Sequence, residues 1–232
     1  MKKTEKTVVL LSGGLDSATL LAMQVKQRGA ENVKALNITY GQKHDREIKS
    51  AKKLADYYGV SYQELDMSDV LSFSDCSLLK RSSKKIKHES YAEQLKETNG
   101  SPVDTYVPFR NGLFLSAAVA YAISIGADRV CCGVHADDAA GNAYPDCSCD
   151  FIKAMTAAIS YGTSGKIKLD APFVSFTKAE IVKVGTEIGV PYELTWSCYE
   201  GGDKPCGKCG TCIDRAKAFE LNNIKDPAIE RS

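Results

Sequence analysis

Thr7-Val8-Val9-Leu10-Leu11-Ser12-Gly13-Gly14-Leu15-Asp16-Ser17-Ala18-Thr19-Leu20-Leu21 is the stretch that decides the fold. Thr7–Leu11 is a short, almost wholly apolar run, the signature of a strand buried on both faces. It passes directly into Ser12-Gly13-Gly14, and helical periodicity over Asp16–Arg28 follows, closed by Gly29. Glycines let a backbone approach an anion with no Cβ in the way. The first-turn amides of the helix, around Ser17, Ala18 and Thr19, have no intrahelical partner and sit at its positive end. The loop is not GxxxxGK[ST], since no lysine follows the glycines, and not GxGxxG. A phosphate held here needs a divalent cation and side chains from elsewhere. The plainer alternative is a turn at Ser12 with Asp16 capping a helix; the unbroken SGGLDS string directly after the first strand favours the anion site.

Working outward, Val33–Thr39 predicts a second strand. Asp45–Tyr58, with Ile48, Ala51, Leu54, Ala55 and Tyr58 on one face, predicts a helix ended by Gly59, and Val60–Asp66 a third strand. Helices are predicted over Asn111–Ile125, near Asp150–Ser160 and over Lys178–Ile188, and strands at Arg129–Gly133 and near Ile167–Ala171. This alternation is the pattern of βαβ units: an α/β fold with an open, mostly parallel sheet and helices on both faces. Leu71–Asp104 breaks the rhythm. It is polar and carries Lys80-Arg81-Ser82-Ser83-Lys84-Lys85-Ile86-Lys87-His88, which reads as a solvated, flexible insertion.

At 232 residues the chain suits one large domain, or one with an appendage. We expect a nucleotide-binding domain over 1–195, interrupted at about 71–104, and a small segment over 196–232 packed on it. With 30 Lys plus Arg against 29 Asp plus Glu, the net charge is +1. No global field draws nucleic acid, so anion recognition must be local. No apolar run reaches the ~20 residues of a membrane span, and the start lacks a signal-peptide pattern. The expectation is a cytoplasmic protein with no membrane or direct nucleic-acid partner.

Nine cysteines are present; an odd number argues against a disulfide framework. Cys198, Cys206, Cys209 and Cys212 follow C-x7-C-x2-C-x2-C among Gly201, Gly202, Pro205, Gly207 and Gly210. Four thiolates on tight turns match a closed, structural Zn²⁺ site, one per chain; an iron–sulfur cluster or redox thiols are the alternatives. Cys131 and Cys132 read as small apolar residues of a strand.

Ser12–Ser17 resembles the pyrophosphate (PP) loop of the ATP pyrophosphatases, which cleave ATP between the α- and β-phosphates. Further strings extend the likeness: Tyr40-Gly41-Gln42-Lys43-His44-Asp45-Arg46-Glu47, Val107-Pro108-Phe109-Arg110-Asn111, Ala143-Tyr144-Pro145-Asp146-Cys147, Thr177-Lys178-Ala179-Glu180-Ile181-Val182 and Thr195-Trp196-Ser197-Cys198-Tyr199. Together with the cysteine spacing they resemble the 7-cyano-7-deazaguanine (preQ0) synthase family of queuosine biosynthesis, in order and over nearly the whole chain.

The resemblance implies a Rossmann-like adenine nucleotide hydrolase fold and a homodimer. It also implies a ligase taking 7-carboxy-7-deazaguanine, ammonia and ATP with Mg²⁺ through an adenylated carboxylate, an amide and an adenylated amide. Leu11, Ser12, Gly13, Gly14, Leu15, Asp16, Ser17, Ala18 and Thr19 would bind ATP, with Asp16 near Mg²⁺. Asp16, Lys178 and Arg110 would be catalytic. Gln42, His44, Glu47, Asn111 and Asp146 would contact the substrate, Asp146 by accepting from a guanine-like edge. Adenylation and amination need no thiol, so Cys147 is not expected to be a nucleophile. Phe109 and Ser148-Cys149 depart from the family pattern. Two other readings are a tRNA thiolase or lysidine-type modifier on the same fold, and a non-catalytic nucleotide sensor with a zinc knob. The near-neutral charge argues against the first, and the extra motifs against the second.

Overall fold

A computed structural model describes residues 6–230. The apolar run at Thr7–Leu10 forms β1, and helix α1 (Leu15–Arg28) follows directly. Gly29 accommodates a φ of +82° where α1 ends. Next come β2 (Val33–Thr39), α2 (Arg46–Tyr58), closed by left-handed Gly59, and β3 (Ser61–Asp66). The chain continues through α3 (Tyr91–Thr98), α4 (Arg110–Ser124), β4 (Arg129–Cys131), the short α5 (Ala136–Ala139), α6 (Cys149–Gly162) and β5 (Lys168–Asp170). It ends with α7 (Lys178–Glu187), α8 (Gly210–Leu221) and α9 (Pro227–Glu230). The sheet order is β3-β2-β1-β4-β5, and every pairing is parallel.

Alternation along the central strands divides the core in two. Val9, Ala35 and Cys131 face one layer, where Leu20, Leu21, Leu54, Ile181 and Phe219 bring in α1, α2, α7 and α8. Val8, Leu36, Val130 and Cys132 face the other, with Tyr91, Leu115, Ala118, Ile152 and Ile159 from α3, α4 and α6. Burial on both faces is what parallel sheets require. The chain runs from β1 outward to β3, then returns to place β4 on β1's other side. The crevice between β1 and β4 is therefore the switch point where such sheets bind ligands. β4 stops at Cys131 rather than Gly133, because Cys132 and Gly133 turn in toward the loop after β1. A Cβ built on Gly133 would stand 3.5 Å from the Asp16 and Ser17 backbone.

The reading of Leu71–Asp104 as a solvated loop is corrected. Leu71, Cys76, Leu78, Leu79 and Ile86 form a third apolar cluster with Tyr40, Val107, Cys198, Cys209 and Cys212. Backbone bonds from Lys43 N to Leu78 O and from Lys80 N to Gly41 O tie the segment to the turn after β2. Its helix α3 starts at a full capping box, with Ser90 accepting from Glu93 N and Glu93 reaching back to Ser90 N. Helix α8 was also absent from the sequence reading; it begins inside the cysteine cluster.

Helices α1 and α7 meet at Gly185. A Cβ there would stand 1.8 Å from Tyr192 Oη and 2.9 Å from Thr19 Oγ1, breaking the Thr19–Tyr192 hydrogen bond. A Cβ on Gly162 at the end of α6 meets nothing within 4 Å. Gly185→Ala is expected to destabilise by about 1–3 kcal/mol, and Gly162→Ala to be neutral or stabilising by up to about 1 kcal/mol. Urea unfolding of both variants checks this pair; equal midpoints would refute the packing argument.

Candidate active site

One cavity opens at the switch point, walled by the ends of β1, β2 and β4, the start of α4, Lys178 and the Trp196–Tyr199 segment. The Ser12–Ser17 loop closes on itself. Ser12 and Ser17 hydroxyls lie 3.0 Å apart, Gly13 N donates to Ser17 Oγ, and Gly14 N donates to Ser12 Oγ. The first intrahelical bond is Ala18 N to Gly14 O. The amides without an intrahelical partner are therefore those of Leu15, Asp16 and Ser17, two residues earlier than the sequence suggests. Ser12, Gly14, Asp16 and Ser17 line the cavity. Leu15, Ala18 and Thr19 are buried behind it, Thr19 bonding Leu15 O and Tyr192 Oη.

Gly13 holds the loop in place. Its φ is +96°, and a Cβ would lie 2.2 Å from Glu47 O and 2.8 Å from Ala51 N of α2. Its carbonyl accepts from Trp196 N at 3.0 Å. Lys178 enters from the first turn of α7, whose Thr177–Glu180 capping box fixes the helix start. Its backbone N donates to Asp137 Oδ2, and its Nζ lies 4.0 Å from Asp16 Oδ2. Burial alone would depress the Lys178 ammonium. The carboxylates of Asp16, Asp138, Asp214 and Asp137 outweigh it and hold the lysine charged above its ordinary value.

At the cavity's other end Arg110 lies 5.2 Å from the Tyr40 ring centroid and 5.8 Å from that of Phe114. The two rings flank the guanidinium, and its Nη1 also donates to Tyr40 Oη at 3.4 Å. Glu47 lines the same end; burial pushes its carboxyl up to about 7, against the pull of Arg110. Gln42 also reaches the cavity, while its Oε1 accepts from Tyr40 N.

Two expected contacts lie elsewhere. His44 packs on the Gly201 turn and does not line the cavity. Asp146 is buried behind the wall, its Oδ2 accepting from Asn111 N and its carbonyl from Asn111 Nδ2. Its carboxylate caps α4, so Glu47 is the carboxylate left facing the Arg110 end. Cys147 does line the wall. Burial, reinforced by Asp138 and Asp146, pushes its thiol well up, and its Sγ accepts from Asn111 Nδ2 at 3.2 Å. Such a thiol stays protonated and is a poor nucleophile.

Sequence reasoning missed Asn37, His135, Asp138 and Tyr199. Asn37 donates to Leu11 O, and its Oδ1 is buried without a partner; the available signal is a polar residue between Leu36 and Ile38 in β2. His135 and Asp138 follow β4 in a stretch that reads only as an Asp-, Ala- and Gly-rich loop. Tyr199 joins Tyr91 through hydroxyls 3.1 Å apart, closing the wall between the 71–104 segment and the cysteine region.

The Sγ atoms of Cys198, Cys206, Cys209 and Cys212 all lie within 4.8 Å of one another, with Cys206 and Cys212 at 4.0 Å. A tetrahedral thiolate site with bonds near 2.3 Å needs S–S separations of about 3.8 Å, so the four fit a metal ion. Hydrogen bonds from the Cys209 and Cys212 thiols and the Cys206 amide hold Cys198 well below its usual value. Amides of Lys208 and Cys209 point at Cys206 Sγ.

An open parallel sheet with a glycine-rich phosphate loop at its switch point and a lysine aimed across it defines an enzyme of the PP-loop type. Two solved structures share the fold. They are the nicotinamide mononucleotide synthetase of Francisella tularensis (TM-score 0.50, 17% identity, 98% of this chain and 82% of that one) and the U34-tRNA thiolase NcsA of Methanococcus maripaludis (TM-score 0.52, 17% identity, 96% and 66%).

Sequence relatives are nearer. The chain is 42% identical to the 7-cyano-7-deazaguanine synthase of Archaeoglobus fulgidus, over 97% of this chain and 90% of that protein. It is 43% identical to that of Trichodesmium erythraeum, over 97% and 100%. The family profile described as "Queuosine biosynthesis protein QueC" matches residues 6–223. The chain belongs to this 7-cyano-7-deazaguanine synthase family. Among the described residues no helix is long and apolar enough to cross a membrane.

Cys149 is exposed and Cys147 is buried. Brief iodoacetamide treatment followed by peptide mass mapping is expected to label Cys149 at least about tenfold faster than Cys147. Comparable labelling would place an activated thiol in the cavity.

Proposed function

We propose that this chain makes a nitrile from a carboxylate in two ATP-dependent stages at the switch-point cavity. In the first, a carboxylate oxygen of 7-carboxy-7-deazaguanine attacks the α-phosphorus of ATP and pyrophosphate leaves. Ammonia then adds to the acyl carbon, and AMP departs with the former carboxylate oxygen as a proton is released. In the second, the amide oxygen attacks the α-phosphorus of a second ATP and pyrophosphate leaves. Loss of AMP and of both nitrogen protons leaves the triple bond. Adenylation is needed because carboxylate and amide oxygens are poor leaving groups and AMP is a good one. The protein's share is positioning and charge stabilisation.

Ser12, Gly14 and Ser17, with the first amides of α1, take the pyrophosphate, and Lys178 takes the charge growing on it. Asp16 faces the Mg²⁺ that arrives with ATP. Arg110, steadied by its bond to Tyr40 Oη, orients the substrate carboxylate with its remaining donors, and Glu47 accepts from the amino and ring N–H edge in the role expected of Asp146. Cys198, Cys206, Cys209 and Cys212 hold a structural Zn²⁺; a site filled by four thiolates leaves no position for reaction. The observation that carries this reading is the shared cavity, in which a phosphate loop with its lysine stands at one end and an arginine framed by aromatic rings at the other.

Protein purified with its metal should contain about one zinc per chain. Given ATP, Mg²⁺, ammonium and 7-carboxy-7-deazaguanine, it should release about two AMP for each nitrile formed, one per stage. Lys178→Met should lower AMP formation by about a hundredfold or more. Arg110→Lys should chiefly raise KM for the carboxylate substrate, because lysine lacks the planar fork. AMP and pyrophosphate without nitrile would move the activity to another substrate. No AMP from folded, zinc-loaded protein would refute the reading.

A further inference from the structure

His135, on the turn that leads from β4 into α5, is 1% exposed, among the most deeply buried polar residues of the protein. Neither ring nitrogen has a hydrogen-bond partner, and Asp16 Oδ1 is likewise buried and unpartnered. His135 Nε2 lies 3.3 Å from Asp138 Oδ2 and 3.7 Å from Asp16 Oδ2, close to both carboxylates and bonded to neither. Asp138 lines the cavity beside Lys178. Native interiors rarely leave several polar atoms in one place without partners, so this group is one bonding partner short. The phosphate loop of α1 is where a phosphate-bound cation would supply it.

Resting on the ATP reading above, we propose that His135 is a positioning residue for Mg²⁺·ATP. Its Nε2–H links Asp138 to Asp16 and orients the Asp16 carboxylate toward the cation. The imidazole donates from a fully buried ring, and Asp138 Oδ2 faces the same Nε2 at 3.3 Å. Groups that orient a metal-facing carboxylate commonly change metal affinity by about 10–100-fold when lost. His135 would touch neither the phosphates nor the carbon undergoing reaction. Its loss should therefore appear in cation affinity and in KM for Mg²⁺·ATP before it appears in KM for the carboxylate substrate.

The test uses full-length, zinc-loaded protein and Mn²⁺ as a paramagnetic stand-in for Mg²⁺. Binding of Mn²⁺ in the presence of ATP is read by electron paramagnetic resonance for wild type, His135→Gln and His135→Asn. The glutamine amide can reach the place of Nε2, whereas the asparagine amide falls near Nδ1. The expected result is an affinity loss of about tenfold or more for H135N and near-wild-type affinity for H135Q, with zinc content unchanged in both. Equal affinities in all three proteins, or equal losses in both variants, would overturn the proposal. Wild type that binds no Mn²⁺·ATP would overturn the ATP reading itself, and this proposal with it.

Should either variant fail to fold, ring ¹⁵N NMR of the wild type tests the same link. The sequence holds three histidines, and one, assigned to His135, must keep a hydrogen-bonded Nε2–H and shift when Mg²⁺·ATP is added. An unshifted His135 ring would sink the proposal.

Discussion

The contact on which the rest of the site depends is the seat of Gly13. Its backbone is left-handed, and it lies so close to α2 that a methyl group would overlap Glu47 O and crowd Ala51 N. The same residue's carbonyl is taken by Trp196 N. One residue without a side chain therefore joins the phosphate loop, the helix carrying Glu47 and the segment leading into the cysteine cluster. Any larger residue must push α2 or the Trp196 segment outward, and either shift opens the cavity. The Ser12 and Ser17 hydroxyls are already engaged within the loop. In the proposed reaction an anion at this loop would meet chiefly backbone donors, held in place before it arrives, as electrostatic stabilisation requires.

Charge is sorted along the cavity. Near the loop, Asp16, Asp137, Asp138 and Asp214 surround a single buried ammonium, Lys178. Burial raises the Asp214 carboxyl, an effect that Lys178 opposes and Asp138 and Asp137 reinforce. That excess of carboxylate would repel a bare polyphosphate and accept one carrying a divalent cation. At the far end Arg110 lies beside the Tyr40 and Phe114 rings rather than beside a cluster of carboxylates, with Nη1 donating to Tyr40 Oη. In the proposed reaction these ends are where the metal–nucleotide and the organic acid would sit.

How much of this was legible in the sequence follows from where the information is local. The five parallel strands, the glycine-terminated helices and the phosphate loop all rest on short-range patterns, and they are found within a residue or two of the expected bounds. The cysteine spacing is local too, and it brings four sulfurs together. The 71–104 segment was misread because its apolar residues, Leu71, Cys76, Leu78, Leu79 and Ile86, are scattered among charges without a helical or strand period. They face a surface supplied by Cys198, Cys209 and Cys212 more than a hundred positions away. Asp146 was misplaced for a related reason. A carboxylate next to a motif looks free in a sequence, and only the fold reveals that the Asn111 amide in α4's first turn lies 2.8 Å away. His135 left no pattern, since one of its acidic neighbours, Asp16, comes from the start of α1, far away in the sequence.

The third apolar cluster changes what the cysteine cluster means for function. Cys198, Cys209 and Cys212 are buried in one cluster with Leu78, Leu79 and Val107, and Val107 stands three residues before Arg110. Trp196 Nε1 donates to Cys198 O, and Tyr199 meets Tyr91 of the inserted helix. Buried Arg215 of α8, paired with Asp226, adds bonds to Thr195 Oγ1 and Ser197 Oγ. Holding four sulfurs together therefore holds the Trp196–Tyr199 wall and the approach to α4, and through Trp196 N the phosphate loop as well. Thiols released from a metal would have to satisfy or repel one another in a half-dry space, and the nearest yielding elements are those walls. None of the four cysteines, which could hold a metal, lines the cavity; they bear on it only by joining the Trp196–Tyr199 wall to the approach to α4.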